Sequence, residues 1–320
     1  MFNNAFNKRV MKQITNNILM IRPVSFRYNE QTSVNNYYQQ VLDDLSSEKT
    51  QRKAFLEFNN FVKKLESVGV NVIVVEDTKV PDTPDSIFPN NWVSFHSDGT
   101  LALYPMCAKN RRGERREDIL IALVDEYGFK IEGVKDFTEF EEHDKYLEGT
   151  GSMVLDRENK ICYAAISIRT DKMAVIQFCE EFSYRLVCFT ANQDVNGKRM
   201  AIYHTNVMMC VADKFAVICL EAIDSKDERE HIIETLIETG KEIIEITQEQ
   251  KHRFAGNMLQ VMGNKPYLVM SNSAFGSLTN QQKNTIEKHC SIIHSPLDTI
   301  EACGGGSARC MMAEIFLPKD

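Results

Sequence analysis

Residues 152–189, SMVLDRENKICYAAISIRTDKMAVIQFCEEFSYRLVCF, contain the unit that decides the fold. Two short apolar stretches, SMVLD and KICYAAISI, are separated by the charged residues 157–159, which is typical of a β-hairpin. Residues 171–182 then carry apolar side chains at helical spacing, and residues 185–189 form another short apolar stretch. The pattern predicts the order strand, strand, helix, strand.

The same order recurs along the chain. Further strand pairs are predicted for WVSFH (92–96) with TLALYPM (100–106), VMMCV (207–211) with KFAVICL (214–220), and MLQVM (258–262) with KPYLVMS (265–271). Helices are predicted at 50–67, 115–127, 171–182, from Ser225 to Gly240 and from Thr279 onward, followed by strands at 70–75, 129–134, 185–189, 242–246 and 291–294. The hairpins begin at Trp92, Ser152, Val207 and Met258, in steps of 60, 55 and 51 residues. This spacing indicates an internal repeat of structure rather than of residues.

The two ends of the chain supply the strands of the remaining unit. The first helix is preceded by one apolar stretch, ILMIRPVSF (18–26), and the chain ends with another, CMMAEIF (310–316). If these two pair, the α/β chain forms a single domain over residues 1–320, a closed ring of five ββαβ units without exposed edges. An open α/β sheet is the alternative, but it would place one strand between helices rather than two.

Composition narrows the class of protein. Hydrophobic residues make up 43% of the chain and charged residues 26%, which is typical of a folded globular protein. The net charge of -8 argues against nucleic acid or an anionic membrane as partner. Residues 1–10 lack the apolar region of a signal peptide, no apolar run approaches about 20 residues, and the nine cysteines are not spaced as disulfide pairs. We therefore expect a cytoplasmic protein.

Polar residues recur where the chain enters each predicted hairpin. They are Asp85 with Asn90 and Asn91, Glu148, His204 with Asn206, Asn257, and Cys310. Equivalent positions in a ring converge on its axis, so these side chains would form one site. A thiolate there could attack a substrate while the imidazole moves a proton and the carboxylates hold positive charge.

Cys310 is the candidate nucleophile. It ends the stretch ACGGGSARC (302–310), in which three consecutive glycines indicate close approach of the backbone to another group. Arg309 is near enough in sequence to favour a thiolate. A buried, inert cysteine is the alternative interpretation, and Cys303 on the same loop is a rival nucleophile.

The other candidates also have simpler interpretations. His204 precedes a strand and is the most plausible base, whereas Glu148 and Asp85 could each be an ordinary loop carboxylate. Arg169 could bind a substrate carboxylate or form a surface ion pair. No cysteine and histidine spacing indicates a metal site, and neither glycine-rich turn has the context of a phosphate loop.

Four motifs give the chain a family resemblance. In order they are PDSIFPNNW (84–92), LEGTGS (147–152), YHTNVMM (203–209) and GGGSARCM (304–311). Together with the five-fold repeat, they resemble the guanidino-group modifying superfamily of arginine deiminases, dimethylargininases and amidinotransferases. The resemblance spans essentially the whole chain and is greatest to the citrulline utilisation, amidinotransferase-like hydrolases.

The resemblance implies a five-bladed α/β propeller, the pentein fold, and hydrolysis through a covalent thio intermediate. Cys310 matches the family nucleophile, His204 the general acid and base, and Glu148 the acidic residue beside it. The expected substrate-binding residues are Asp85 at the nitrogens of the substrate head, Arg169 and Arg116 at its carboxylate, and Asn90, Asn206 and Asn257. No metal or organic cofactor is implied, and the expected partner is a small molecule; whether the chain forms a homo-oligomer is left open.

Two departures bear on the substrate. Arginine deiminases carry an aspartate where this chain has Asn206, and the turn after Glu148 is Gly-Thr-Gly rather than Gly-Gly-Asp. Because an amide both donates and accepts, Asn206 suits an uncharged ureido group. We therefore expect hydrolysis of citrulline to ornithine, ammonia and carbon dioxide. The alternatives are arginine deiminase or dimethylargininase activity on a guanidinium, and a silent binding protein, which would have lost Cys310, His204 or Glu148.

Overall fold

The computed structural model describes residues 12–42 and 46–319, so the opening residues 1–10, whose sequence lacks an apolar region, lie outside it. The strands are β1 (Asn17–Arg22), β2 (Asn71–Glu76), β3 (Val93–Phe95), β4 (Thr100–Leu103), β5 (Gly133–Asp136), β6 (Val154–Asp156), β7 (Ile161–Ala165), β8 (Arg185–Phe189), β9 (Asn192–Val195), β10 (Lys198–Ala201), β11 (Met209–Val211), β12 (Phe215–Ile218), β13 (Glu242–Glu245), β14 (Leu259–Met262), β15 (Pro266–Ser271), β16 (Ser291–Ser295) and β17 (Ala313–Glu314).

Helices join the second and third strands of each unit and also occur in the connecting segments. They are α1 (Glu30–Ser33), α2 (Ser47–Glu66), α3 (Glu117–Asp125), α4 (Gly149–Ser152), α5 (Lys172–Phe182), α6 (Lys226–Glu238), α7 (Gln248–His252), α8 (Asn272–Ser277), α9 (Asn280–Glu287) and α10 (Asp298–Gly304). Among the described residues, no helix is both long enough and apolar enough to cross a membrane.

Four three-stranded sheets share one topology. In β3-β4-β5, β6-β7-β8, β11-β12-β13 and β14-β15-β16, the first two strands form an antiparallel hairpin and the third runs parallel to the second. A parallel neighbour requires a crossover, which in these units includes a helix. The predicted order of strand, strand, helix and strand is confirmed in each.

The remaining three-stranded sheet, which we count as the first because it contains β1, joins the two ends of the chain. β17 pairs antiparallel with β1, so that Leu19 lies opposite Ala313, and β1 runs parallel to β2. The predicted pairing of the first and last strands is therefore confirmed. Ser46 caps the intervening α2 by accepting a hydrogen bond from Lys49, and the buried face of α2 includes Phe58 and Phe61.

Two local predictions were wrong or incomplete. The strand predicted at 129–134 begins only at Gly133. Residues 129 and 130 instead lie beside the C-terminal segment, where Phe129 pairs with Lys319 and Lys130 N–H donates to the carbonyl of Pro318. The hairpin β9-β10 was not predicted, since its strands are polar. Its turn is Asn196-Gly197, with φ of 49° and 76°, and this dipeptide was the available signal.

Apolar clusters hold consecutive sheets together. Leu19 and Phe95 belong to a cluster between the first and second sheets, and Tyr104 and Leu155 to one between the second and third. The largest cluster spans the third, fourth and fifth sheets, and another contains Met20 of the first sheet with Val269 of the last. Each sheet thus packs on the next in sequence, and the last also packs on the first.

Replacing Leu19 with Ala tests the sheet that joins the chain ends. Leu19 is fully buried, and its loss leaves a cavity between two sheets. We expect the free energy of unfolding in urea to fall by about 2–5 kcal/mol, against less than about 1 kcal/mol for Ile121→Ala on the exposed side of α3. Equal losses in the two variants would contradict the role given to this sheet.

Candidate active site

Segments that enter three of the five hairpins meet at one small cavity. The residues that line it are Asn36, Asp85, Phe88, Asn91, Arg111, Arg169, Tyr203, His204, Gly304, Gly306 and Cys310. Its volume is about 10 Å³, which is room for roughly one water molecule. Asp85, His204 and Cys310, which the repeat predicted to converge, thus lie around a single cavity.

His204 and Glu148 form a buried pair beside this cavity. His204 Nε2 lies 2.8 Å from Glu148 Oε2, and both side chains are almost completely buried. Burial lowers the pKa of His204 to about 4 despite the opposing charge of Glu148. Burial alone would raise the pKa of Glu148, but Arg169, His204 and Arg111 outweigh it and hold the pKa below its usual range.

These charges determine the tautomer of the histidine. Because Glu148 is ionised and accepts at Oε2, the neutral imidazole of His204 carries its proton on Nε2. Nδ1 then keeps the free lone pair and is the nitrogen able to exchange a proton with a reactant. Gly151 lies against this edge of the ring, because a Cβ built on it would be 2.7 Å from His204 Nδ1.

The sulfur of Cys310 is surrounded by amide groups. Asn257 Nδ2 lies 3.2 Å from Sγ and Asn206 Nδ2 lies 3.6 Å from it. Arg309, expected to favour the thiolate, instead directs its guanidinium to the carboxylate of Glu314 and the carbonyl of Met312. That expectation was wrong because Glu314 provides a buried carboxylate on the other side of the loop.

The consecutive glycines allow the nucleophile loop to pack closely. A Cβ on Gly304 or Gly306 would lie within 2.9 Å of the ring of Phe88, and Gly305 has a φ of 63°. A Cβ built on Gly306 would also lie 3.3 Å from Cys310 Cβ. The three residues thus bring the loop against a buried aromatic ring beside the cysteine.

Arg111 is a site residue that sequence reasoning missed. It belongs to the run of four arginines at 111–116, and its side chain is only 2% exposed. Two of its nitrogens donate to Glu114 at 2.8 Å, and its Nη1 lies 3.7 Å from Glu148. The available signal was the spacing of Arg111 and Glu114, which allows a local ion pair.

Asp85 reaches the cavity with one oxygen unused. Its Oδ2 accepts from Asn29 at 2.8 Å and from Thr32 at 3.0 Å, while its Oδ1 has no partner among the described residues. Burial raises the pKa of Asp85, and the positive charge of Arg111 opposes this shift. Asn90 is also fully buried: its Nδ2 donates to Thr150, and its Oδ1 is likewise unpartnered in the described part of the chain.

The two arginines predicted to bind a substrate carboxylate lie in different places. Arg169 lines the cavity, where it donates to Glu148 at 3.3 Å and to the carbonyl of Thr32 at 2.8 Å. Arg116 is not among the residues that line the cavity. It stands directly before α3, where its guanidinium binds Asp118 and the carbonyl of Glu76.

Residues 29–42, which we call the cover segment, close the cavity. Asn36 Nδ2 donates to the carbonyls of Gly304 and Gly305, both at 3.4 Å, and Gln39 Nε2 donates to the carbonyl of Cys303 at 3.0 Å. Cys303, the rival nucleophile, lines a separate groove together with Asn29 and Leu42 of the cover segment, rather than the cavity with Cys310. The described residues include no cluster of three or more histidine, cysteine, aspartate or glutamate side chains suited to a metal ion.

Replacing Gly151 with Ala tests the packing of the histidine. The added methyl group would meet Asn91 Nδ2 at 2.4 Å and the ring of His204, so one of them must move. We expect the free energy of unfolding to fall by about 1–3 kcal/mol. Gly276→Ala is the control, because nothing lies within 4 Å of its added Cβ and it should be neutral or stabilising. Equal behaviour of the two variants would contradict close packing at Gly151.

Solved structures with the same fold include several enzymes of arginine chemistry. The apo structure of ArgZ, an arginine dihydrolase from the ornithine-ammonia cycle in cyanobacteria, has a TM-score of 0.72 at 20% identity, covering 95% of this chain and 41% of that one. The N-terminal domain of ArgZ bound to a reaction intermediate gives 0.71 at 20% identity and 94% and 99% coverage. This chain therefore spans less than half of full-length ArgZ.

A dimethylarginine dimethylaminohydrolase variant in adduct with S-methyl-L-thiocitrulline gives a TM-score of 0.64 at 15% identity, over 94% of this chain and 100% of that chain. At these identities the likeness establishes the α/β pentein fold. A comparison with curated proteins gave no match.

A family profile described as N,N dimethylarginine dimethylhydrolase, eukaryotic, matches residues 22–317. The match includes all four motifs and confirms the predicted membership in the guanidino-group modifying superfamily. The chain therefore belongs to the N,N dimethylarginine dimethylhydrolase family.

Proposed function

We propose that this protein is a hydrolase that cleaves a C–N bond of the guanidinium group of an arginine-like small molecule. The observation that carries the proposal is the unpartnered Oδ1 of Asp85 at the cavity. A buried acceptor without a donor is unfavourable, and a guanidinium presents only N–H donors together with a positive charge. An ionised Asp85 would bind such a group through a charge-assisted hydrogen bond.

The residues around the cavity support hydrolysis in two steps. Cys310 gives its thiol proton to Nδ1 of His204 as its sulfur attacks the guanidinium carbon. As the C–N bond breaks, the imidazolium gives this proton to the leaving amine. Glu148, 2.8 Å from Nε2, stabilises the imidazolium that forms whenever His204 holds the second proton. Water then gives one proton to Nδ1 of His204 and adds to the same carbon. The C–S bond breaks, and the departing sulfur takes that proton back from His204. The water oxygen becomes the ureido oxygen of the product, and its remaining proton passes to the released amine.

Citrulline hydrolysis is the second candidate. The sequence argument for it rests on Asn206, but this amide lies 3.6 Å from the cysteine sulfur and is not among the residues lining the cavity, which weakens that argument. A different observation favours a ureido substrate: burial raises the pKa of Asp85. A protonated Asp85 would donate to a ureido oxygen, so its charge state distinguishes the two substrate classes.

The proposed tail of the substrate carries a carboxylate that binds Arg169. In the closed state, this guanidinium bonds to Asn35 and Thr32 of the cover segment. Movement of that segment would leave the same donors free for a bidentate carboxylate. Arg116 is not included in this proposal, because its side chain binds Asp118 outside the cavity.

We further propose a single domain over residues 1–320 in which the five sheets form a closed five-bladed propeller. The pairing of β1 with β17 and the apolar cluster that contains both Met20 and Val269 support closure. The free thiols of all nine cysteines support a cytoplasmic location. The proposed chemistry uses side chains and water alone, and the protein is free to act as a monomer or a homo-oligomer.

Replacing Cys310 with Ala should abolish turnover and leave folding intact. The test is a screen of arginine, methylated arginines, agmatine and citrulline, with release of ammonia and amines as the signal. We expect a loss of at least about a thousandfold, since this residue forms the covalent intermediate. Cys303→Ala is the matched control and should keep most of the parent activity. Full activity of the Cys310 variant would show that another residue is the nucleophile. A parent protein that turns over none of these compounds would favour a binding protein.

Replacing Asp85 with Asn separates the two substrate classes. The amide keeps the size of the carboxyl group but carries no charge, like the protonated acid. We expect kcat/KM for a guanidinium substrate to fall roughly 10- to 100-fold, the value of one hydrogen bond between charged groups. Unchanged activity on a guanidinium would contradict an ionised Asp85. Activity retained on citrulline alone would favour the ureido alternative.

A further inference from the structure

We infer that the side-chain amide of Asn257 is the group that holds the Cys310 sulfur as a thiolate. Asn257 Nδ2 lies 3.2 Å from Cys310 Sγ, the shorter of the two contacts between an amide nitrogen and this sulfur. The sequence predicted a substrate-binding role for Asn257, but it is not among the residues that line the cavity. The inference rests on the proposed function in one respect, that Cys310 is the nucleophile.

The orientation of the Asn257 amide is fixed by the backbone. Its Oδ1 accepts from the backbone N–H of Arg309 at 3.0 Å, and its Nδ2 donates to the carbonyl of Asn206 at 3.0 Å. A flipped amide would place an oxygen against the Asn206 carbonyl and a nitrogen against the Arg309 N–H. The second N–H of Nδ2 is therefore the one directed at the sulfur.

The positive charges near the loop are already engaged. Arg309 is paired with Glu314 at 2.9 Å, and Arg111 and Arg169 both lie within 4 Å of Glu148. His204, which is neutral in this state, donates from Nε2 to Glu148. The cations are thus balanced by carboxylates, and the amide dipoles contact the sulfur directly.

A hydrogen bond donated to sulfur favours the thiolate over the thiol, because only the charged form is a strong acceptor. Asn257 is completely buried, so water does not compete with this bond. Asn206 Nδ2 adds a longer contact at 3.6 Å. The same amide also joins the Cys310 loop, at Arg309, to the segment that enters β11, at Asn206. It therefore fixes the position of the nucleophile as well as its charge.

The test measures the rate at which iodoacetamide alkylates Cys310 at pH 7, read peptide by peptide with mass spectrometry so that the other eight cysteines do not interfere. Asn257→Asp removes the N–H donors at nearly constant shape. Asn257→Ser provides a second variant whose hydroxyl is too short to reach the sulfur. We expect both to slow alkylation of Cys310 by roughly tenfold or more.

Gln13→Glu is the matched control. Gln13 is a buried amide that also bridges backbone groups of separate units, through Leu155, Val211 and Arg157, without contacting the sulfur. In this variant, iodoacetamide should alkylate Cys310 at the parent rate to within about twofold. The inference is overturned if a folded Asn257 variant keeps the parent rate, if Gln13→Glu loses as much, or if neither Asn257 variant folds.

Alkylation requires no substrate, so this inference and the proposed function can be refuted independently of each other. A parent protein inactive on every guanidino and ureido compound, whose Asn257 variants still lose alkylation, would refute the function and keep the role of Asn257. An active parent protein whose Asn257 variants are alkylated at the parent rate would support the proposed function and refute the role of Asn257.

Discussion

The buried carboxylate of Glu148 is the interaction on which the site depends. An ion without partners in the protein interior is unstable by several kcal/mol, so a charge at this position requires opposite charges and donors around it. They come from separate units: His204 at 2.8 Å, Arg169 at 3.3 Å and Arg111 at 3.7 Å. The same contacts fix the tautomer of the histidine. One charge thus links the packing of three units around the cavity to the protonation of the histidine.

Much of the architecture could be predicted because it is encoded locally. Strand pairs and helices repeat every 50 to 60 residues, and the unpaired apolar stretches at the two ends indicated the sheet that joins them. The convergence of Asp85, His204 and Cys310 followed from their equivalent positions in the repeat. For these features, sequence spacing and structural position carry the same information.

The directions of individual side chains could not be predicted in this way. Arg111 and Arg116 stand five residues apart in one basic run, yet only Arg111 turns inward, because Glu114 and Glu148 meet it there. Arg309 turns away from Cys310 for a similar reason, since it meets Glu314. Such choices depend on charges brought together from distant parts of the chain, and sequence spacing does not contain them.

The cover segment has a further consequence for the exposure of Cys310. A reactive cysteine thiolate that is open to solvent is readily attacked by peroxide, and its oxidation beyond the sulfenic acid is irreversible in most proteins. Here the sulfur lies in a cavity of about 10 Å³, beneath Asn36 and its bonds to the glycine loop. In this conformation the cover segment therefore also lies between the sulfur and oxidants in the solvent.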